Sequence, residues 1–330
     1  MAITKIKVEN LTVFEEMEMD IDANVNVIIG ENGTGKTQLL KMIYASWIVE
    51  NKIFEEIFKV KTNDLIRSKD FERSSVNILR DDESTFYKMC KGGWERKFYS
   101  TIDSAKKVHK IDAFIEKIVF IPAKDMLTHS PGFLSLIRER KMPFDETLVD
   151  IVSKASLPEL REVPELAKNI MPKLEQVMGG IVVIENDEFF ILKNDGQKVS
   201  FSVEAEGMKK IGLLWKLLMT GNIKEDTILL WDEPEANINP KLIPLLAKII
   251  LELGRNGVQI FLATHDYFLP KYIEVQSSDA DKVAFHALYT TDHGVKCETD
   301  TKFAFLDENA IIDEKIKLYE AEIDKVMDNE

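Results

Sequence analysis

The chain has 330 residues, 45 % hydrophobic and 30 % charged, with a formal net charge of −14, a balance that suits a globular protein of one large domain or two ordinary ones. Such an acidic surface excludes a general coat of nucleic acid while leaving room for a local basic strip. No run approaches the roughly 18 apolar residues of a membrane span, and the N-terminus enters strand-like alternation without a signal-peptide core, so a cytoplasmic protein with no membrane partner is expected. Cys90 and Cys297 lie far apart outside any C-x-x-C spacing, and the five histidines are scattered, which suggests neither a disulfide framework nor a zinc site.

Residues 2 to 9 and 12 to 21 alternate apolar and polar and predict an antiparallel pair, with Phe14 read as a core aromatic in preference to an adenine-stacking ring. Asp22-Ala23-Asn24 then leads into the apolar strand Val25-Asn26-Val27-Ile28-Ile29. Next come Gly30-Glu31-Asn32-Gly33-Thr34-Gly35-Lys36-Thr37 and Gln38, followed by Leu39, Leu40, Ile43, Tyr44 and Trp47 at helical spacing. Strand, loop and helix in that order carry the phosphate-loop pattern G-x-x-x-x-G-K-[ST]. The glycines let backbone N–H groups converge on a polyphosphate at a helix N-terminus. Lys36 is the cation for the β- and γ-phosphates, and the Thr37 hydroxyl is a ligand for Mg²⁺.

Residues 48 to 72 read as helical and polar, and 76 to 102 as a short β-meander punctuated by Asp81-Asp82 and Gly92-Gly93. The local basic strip is Lys91, Arg96, Lys97, Lys106, Lys107 and Lys110 with Trp94, Phe98 and Tyr99 between them; it is a solvated hairpin edge or a surface for nucleic acid or a partner. Ile118-Val119-Phe120-Ile121 is a buried strand stopped by Pro122, and residues 126 to 178 form helices separated by Pro131, Pro143, Pro158, Pro164 and Pro172. Strands are predicted at 181 to 184, 189 to 192 and 199 to 202, the last two joined at Asp195-Gly196. Helix 207 to 220, strand 227 to 231, helix 240 to 253 and strand 258 to 263 follow, and such repeating units mean a parallel sheet.

Two strand exits carry further chemistry. Thr227-Ile228-Leu229-Leu230-Trp231 ends in Asp232-Glu233: a carboxylate there, beside the phosphate loop, holds the Mg²⁺ shell, and the next orients or deprotonates an attacking water. Strand 258 to 263 ends in Thr264-His265-Asp266, so His265 is placed to touch a γ-phosphate. Between them Asn239 is the predicted N-cap of a helix with Pro240 in its first turn. Residues 307 to 329 are acidic with Ile312, Ile316, Tyr319, Ile323 and Met327 along one stripe, expected to pack on this chain or else to dock a partner.

The run Trp231-Asp232-Glu233-Pro234-Glu235-Ala236-Asn237-Ile238-Asn239-Pro240, with the phosphate loop, resembles ABC-type ATPase heads of the SMC, double-strand-break-repair and OLD type. It is most similar to the small stand-alone ABC-class ATPases that bacteria carry in anti-phage and toxin–antitoxin operons. The resemblance implies ATP and Mg²⁺ as cofactors, Asp232 as the Walker B aspartate and metal ligand with Thr37, and Glu233 as the catalytic glutamate. It makes Lys36 a catalytic cation, Asn237 a D-loop residue and His265 the switch histidine. At the signature position Val203-Glu204-Ala205-Glu206-Gly207 departs from the family, with Ala205 where a serine hydroxyl stands, leaving Glu206, Gly207 and the helix N-terminus to meet nucleotide. Pro122-Ala123-Lys124-Asp125 occupies the Q-loop position without a glutamine, and either Lys124 or Asp125 substitutes.

The fold expected from this resemblance is α/β: a P-loop NTPase of ABC-ATPase type, a mixed sheet with a parallel core, an N-terminal antiparallel β-subdomain and an inserted helical lobe. One head covers 1–330, divided into 1–124 with the phosphate loop and meander, 125–179 as the helical lobe, 180–306 with signature, Walker B and switch histidine, and 307–330 as a C-terminal helix. Implied partners are a second copy, as a homodimer or higher homo-oligomer, and a separate nuclease or toxin effector from the same operon, since about 65 residues after His265 are too few for a TOPRIM domain. Rival readings are an SMC-like clamp that binds DNA directly, and a nucleotide-dependent scaffold with little turnover.

Overall fold

The computed structural model describes residues 2–47, 53–59, 73–80, 83–90, 93–100, 117–140 and 144–327, with Leu65, Arg67 and Met142; for 53–55, 83–90 and 93–100 it describes the backbone. At its centre lie five parallel strands: β3 (Val25–Gly30), β7 (Ile118–Ile121), β11 (Ile228–Asp232), β12 (Gln259–Ala263) and β13 (Val283–Thr291). They run in the order β13-β3-β12-β11-β7, and β14 (Gly294–Asp300) adds antiparallel to β13. Every residue of β3, β7, β11 and β12 is buried, which is why these segments read as near-continuous apolar runs, with Asn26, Asp232 and Gln259 as their polar members.

Period two reappears in which core each side chain joins. Val27, Ile29, Val119, Leu229, Trp231, Ile260 and Leu262 face one hydrophobic cluster, and Ile28, Ile118, Phe120, Ile228, Leu230 and Phe261 face another. The second cluster is closed by helix α1 (Lys36–Ala45) and by an antiparallel sheet ordered β2-β1-β4-β5-β6. Its strands are β1 (Ile3–Leu11), β2 (Phe14–Asp20), β4 (Ser75–Arg80), β5 (Glu83–Cys90) and β6 (Gly93–Ser100). Helix α2 (Ile53–Phe58) follows α1.

The first cluster is closed by a helical lobe and the later helices. The lobe holds α3 (Phe133–Arg140), α4 (Glu146–Ala155) and α5 (Met171–Met178). Asp145 caps α4 by accepting from Thr147 N, and Gly179, at φ 63°, ends α5 in the left-handed conformation. A three-stranded sheet of β8 (Gly180–Glu185), β9 (Glu188–Lys193) and β10 (Lys198–Ser200) leads into α6 (Glu206–Met219). Helices α7 (Ile243–Arg255) and α8 (Phe268–Gln276) flank β12 in sequence.

The sequence reading stopped the sheet at residue 263 and missed α8, β13 and β14. Strand β13 pairs with β3 from Val283↔Val25 to Leu288↔Gly30, covering the far side of the phosphate-loop strand. A buried polar relay locks it there: His286 Nε2 donates to Asn26 Oδ1 at 3.2 Å, and Asn26 Nδ2 in turn donates to Ala23 O and Ile260 O. Nδ1 of the same ring accepts from Thr299 Oγ1 at 2.8 Å. Burial pushes the imidazole down to about 4, so it stays neutral.

The C-terminal helix α9 (Ala310–Met327) buries none of its residues. This corrects the expectation that its stripe packs on the head: only Ile311 and Ile312 at its foot rest against the core, and Ile316, Tyr319, Ile323 and Met327 are 49–70 % exposed. Within the basic strip, Lys91, Lys106, Lys107 and Lys110 lie outside the described residues, as do the side chains of Trp94, Arg96, Lys97, Phe98 and Tyr99. Among the described residues no helix is long and apolar enough to cross a membrane.

Candidate nucleotide site

The register of the central sheet builds the site. Asp232 pairs with Ala263, and Ala263 with Ile28, so the ends of β11, β12 and β3 lie side by side at the C-terminal edge, where ligands of parallel sheets bind. From β3 the chain turns through Gly30, where an added Cβ would lie 2.4 Å from Leu288 O, so no side chain is accommodated. At Gly35, φ is 88° and a Cβ would meet Val13 at 2.7 Å and the Phe14 ring at 2.8 Å. Phe14 is therefore a buried floor beneath the loop. No side chain caps α1, whose first N–H groups open on the loop.

Lys36 is buried and its Nζ donates to Gly30 O at 2.8 Å and Glu31 O at 2.9 Å, drawing the loop around the ammonium. Burial lowers its pKa, opposed by Glu233, Asp232, Glu235 and Glu31. Thr34 Oγ1 donates to Glu31 O at 2.9 Å, while Glu31, Asn32 and Gly33 are exposed at the loop's tip. The Gln38 side-chain oxygen is buried without a hydrogen-bond partner.

Thr37 Oγ1 lies 2.9 Å and 3.1 Å from the two carboxylate oxygens of Asp232. Asp232 is 7 % exposed, and burial raises its pKa while the Thr37 hydroxyl lowers it. A hydroxyl and a desolvated carboxylate converging at the mouth of a phosphate loop are hard oxygen donors of the kind Mg²⁺ takes, and a divalent cation there offsets the charge that burial disfavours.

One residue on, Glu233 has φ 45°, a left-handed conformation costing on the order of 1–3 kcal/mol for a residue with a side chain. It is clamped on both sides. Its N–H donates to Ala263 O at 2.8 Å, and its carbonyl accepts from Lys210 Nζ at 2.6 Å. The clamp points the carboxylate outward, 3.2 Å from His265 Nδ1. Lys210 escaped the sequence reading; it is 7 % exposed on a helix whose buried residues include Ile211, Leu214 and Leu218 as well as Lys209 and Lys216.

Glu235 was also missed. Its Oε1 accepts from Thr264 Oγ1 at 2.6 Å, its Oε2 is buried without a partner, and burial pushes the carboxyl up to about 7. Asp266 caps α8 by accepting from Leu269 N at 2.9 Å. Asp125 accepts from Leu127 N at 3.0 Å and Thr128 N at 3.2 Å, which commits it to a turn and leaves Lys124 exposed beside it.

The signature segment stands apart from the phosphate loop. Ala205 is the N-cap of α6 and brings no side-chain cap, and Val203 before it is 78 % exposed. At Gly207 a Cβ would come 3.0 Å from Asn237 O and 3.2 Å from Ile238 Cα, so the start of α6 rests on the segment after Glu233. Asn237 is exposed at φ 63°, and Asn239 caps the next turn by accepting from Lys241 N at 3.0 Å. Two clefts result. One of about 610 Å³ is lined by Gly30, Glu31, Asn32, Glu235, His265 and the foot of α9; the other, of about 480 Å³, by Lys124, Asp125, Glu206, Lys209, Glu233 and Asn237. Thus Lys36, Thr37, Asp232, Glu233 and His265 share one sheet edge, while Glu206 and Asn237 line the second cleft with Glu233.

Comparison with known proteins follows the same lines. Residues 45–269 match the family model described as "AAA domain, putative AbiEii toxin, Type IV TA system". The chain belongs to that family. A second model, an AAA ATPase domain, matches residues 1–85, which include the phosphate loop. Among solved structures, an SMC head bound to the C-winged helix domain of ScpA matches with TM-score 0.61 at 16 % identity over 91 % of this chain and 98 % of that one. The SMC head domain from Thermotoga maritima gives 0.54 at 16 % over 90 % and 98 %. The Smc head from Pyrococcus furiosus, bound to the C-terminal domain of ScpA, gives 0.57 at 11 % over 97 % and 98 %. These likenesses establish a shared fold. The DNA replication and repair protein RecF of Bacillus mycoides (strain KBAB4) is 48 % identical over 44 residues, 13 % of this chain and 12 % of that protein. The protein is an AAA-domain protein with the fold of SMC heads.

Proposed function

We propose that this chain binds ATP with Mg²⁺, hydrolyses it, and does so in a closed pair of heads. The observation that carries this reading is the contact between Thr37 Oγ1 and both Asp232 oxygens, next to the Glu233–His265 pair at 3.2 Å. Thr37 and Asp232 would hold the metal, which when bound supplies charge stabilisation at the β- and γ-phosphates. Lys36 binds and orients the phosphates from inside the loop, and Glu233 takes a proton from, or aligns, the attacking water. His265 fixes the Glu233 carboxylate and carries the state of the γ-phosphate to β12. The signature face of α6, exposed and away from its own loop, serves the nucleotide of a second copy; γ-phosphate contacts then favour the closed pair and hydrolysis releases it.

We further propose that the protein works in the cytoplasm as the regulatory ATPase of an anti-phage or toxin–antitoxin system with a separate nuclease or toxin effector; what supports this is a family description that names a type IV toxin–antitoxin system. Phosphate release measured on the purified protein, with and without Mg²⁺, tests the enzymatic reading; no Mg²⁺-dependent turnover above a Glu233→Gln control refutes it. The RecF match favours a second reading, an ATP-driven clamp acting on DNA. Salt-sensitive, ATP-dependent binding of duplex DNA distinguishes it.

A further inference from the structure

We propose that α9 pairs with α9 of a second copy as a short parallel coiled coil, whether or not nucleotide is bound. The foot of the helix is fixed to the head. Asn309 is buried, its Nδ2 donates to Phe303 O at 2.8 Å and its Oδ1 accepts from Ile312 N at 3.2 Å. Lys315 Nζ lies 3.2 Å from the centroid of the Tyr267 ring. Beyond this first turn the helix has no cover among the described residues: Ile316, Tyr319, Ile323 and Val326 are 49 %, 54 %, 58 % and 63 % exposed. An exposed apolar stripe along an 18-residue helix is a surface that a partner can cover.

The pattern specifies that partner. Ile316, Tyr319, Ile323 and Val326 follow 3-4-3 spacing, the a-d-a-d seam of a heptad, and both a positions carry β-branched isoleucine, which favours two parallel strands. Flanking charges fit a copy of the same helix. In parallel register Lys315 at g faces Glu320 at e of the second copy, twice by symmetry, and Glu322 at g faces Met327 at e, so no like charges oppose each other across the seam. The flexible lysine stem lets the ammonium turn from the Tyr267 ring to that carboxylate. The pairing stands on α9 alone and does not depend on the ATP-gated closure proposed above.

The experiment is light scattering on the nucleotide-free full chain at micromolar concentration. The parent is expected at twice the single-chain mass, and Lys36→Ala, which removes nucleotide, is expected to keep it. An Ile316→Asp/Ile323→Asp double variant is expected at single-chain mass with the parent's melting temperature and ATP binding. Lys315→Glu should weaken association about tenfold, and adding Glu320→Lys should restore it. Tyr319→Cys should cross-link to itself on oxidation, far beyond the parent chain. A nucleotide-free parent of single-chain mass, or a double variant that keeps the parent's mass, overturns the proposal. So does a double variant that loses thermal stability without changing mass, which would mean that the helix folds onto its own head. Failure of Tyr319→Cys to cross-link overturns the parallel arrangement.

Discussion

The phosphate-loop edge and the signature edge of this protein are built differently. At the first, polar groups find their partners within one chain: Lys36 on the loop carbonyls, Thr37 on Asp232 and, at the surface, His265 beside Glu233. At the second, Val203 is exposed, Ala205 offers no hydroxyl, and α6 begins against the backbone at Asn237 rather than against its own phosphate loop. On the proposed function, nucleotide recognition is encoded locally and closure is left to another molecule. Lys210 links the two edges, since it leaves the signature helix and holds the Glu233 carbonyl.

The largest expected effect breaks the self-sufficient edge outright. Lys36→Ala removes the buried cation that offsets the phosphates, and ATP binding measured by calorimetry should weaken at least about a hundredfold. Glu233→Gln keeps the shape and loses the base, so single-turnover hydrolysis should slow roughly a hundredfold while ATP binding is retained. A fall of less than tenfold would place the base elsewhere; with Asp266 and Asp125 both committed to capping, Glu235 would be the next group to examine.

The link between the edges is expected to give a smaller effect. Lys210→Met preserves the buried stem and releases the Glu233 carbonyl; kcat should fall about tenfold with KM little changed, as for an interaction that positions the reacting group. Equal changes in KM and kcat/KM with kcat untouched would mean that Lys210 serves binding only.

The smallest effect sharpens the comparison through pH. Burial raises Glu235 from 4.5 to about 7, so the folded protein keeps a proton that the unfolded chain has released in that window. The contribution of Glu235 to stability is therefore greatest below pH 4.5 and is lost as pH rises through 7. Glu235→Gln retains the bond from Thr264 and removes this dependence, and should stabilise by on the order of 1–3 kcal/mol above pH 7 with no gain near pH 4.5. Parallel melting curves for parent and variant across that range would refute the assignment.

How far the sequence reached follows from where the signals lie. The parallel core was legible because β3, β7, β11 and β12 are mostly apolar, and Thr37 and Asp232, 195 positions apart, were legible as residue types at strand exits. Strands β13 and β14 were not, although Val283-Ala284-Phe285-His286-Ala287-Leu288 and the Gly294 turn are strand-like, because no motif followed them. Lys210 and Glu235 were missed for a physical reason: each is a charge buried by tertiary packing, and charge in a sequence reads as surface. The stripe on α9 was legible as apolar, but what covers it depends on another surface that one chain's periodicity cannot specify.

The central claim is that each working site takes its phosphate loop from one chain and its signature from another. A mixing experiment tests it most directly, pairing Lys36→Ala, which lacks a usable loop, with Gly207→Trp, which crowds the contact at Asn237 and spoils the signature face. Each variant alone should be inactive. Mixed, they should recover ATP turnover, because a mixed pair contains one intact loop opposite one intact signature. A mixture as inactive as its components, while both variants remain folded and still associate, would contradict the composite site.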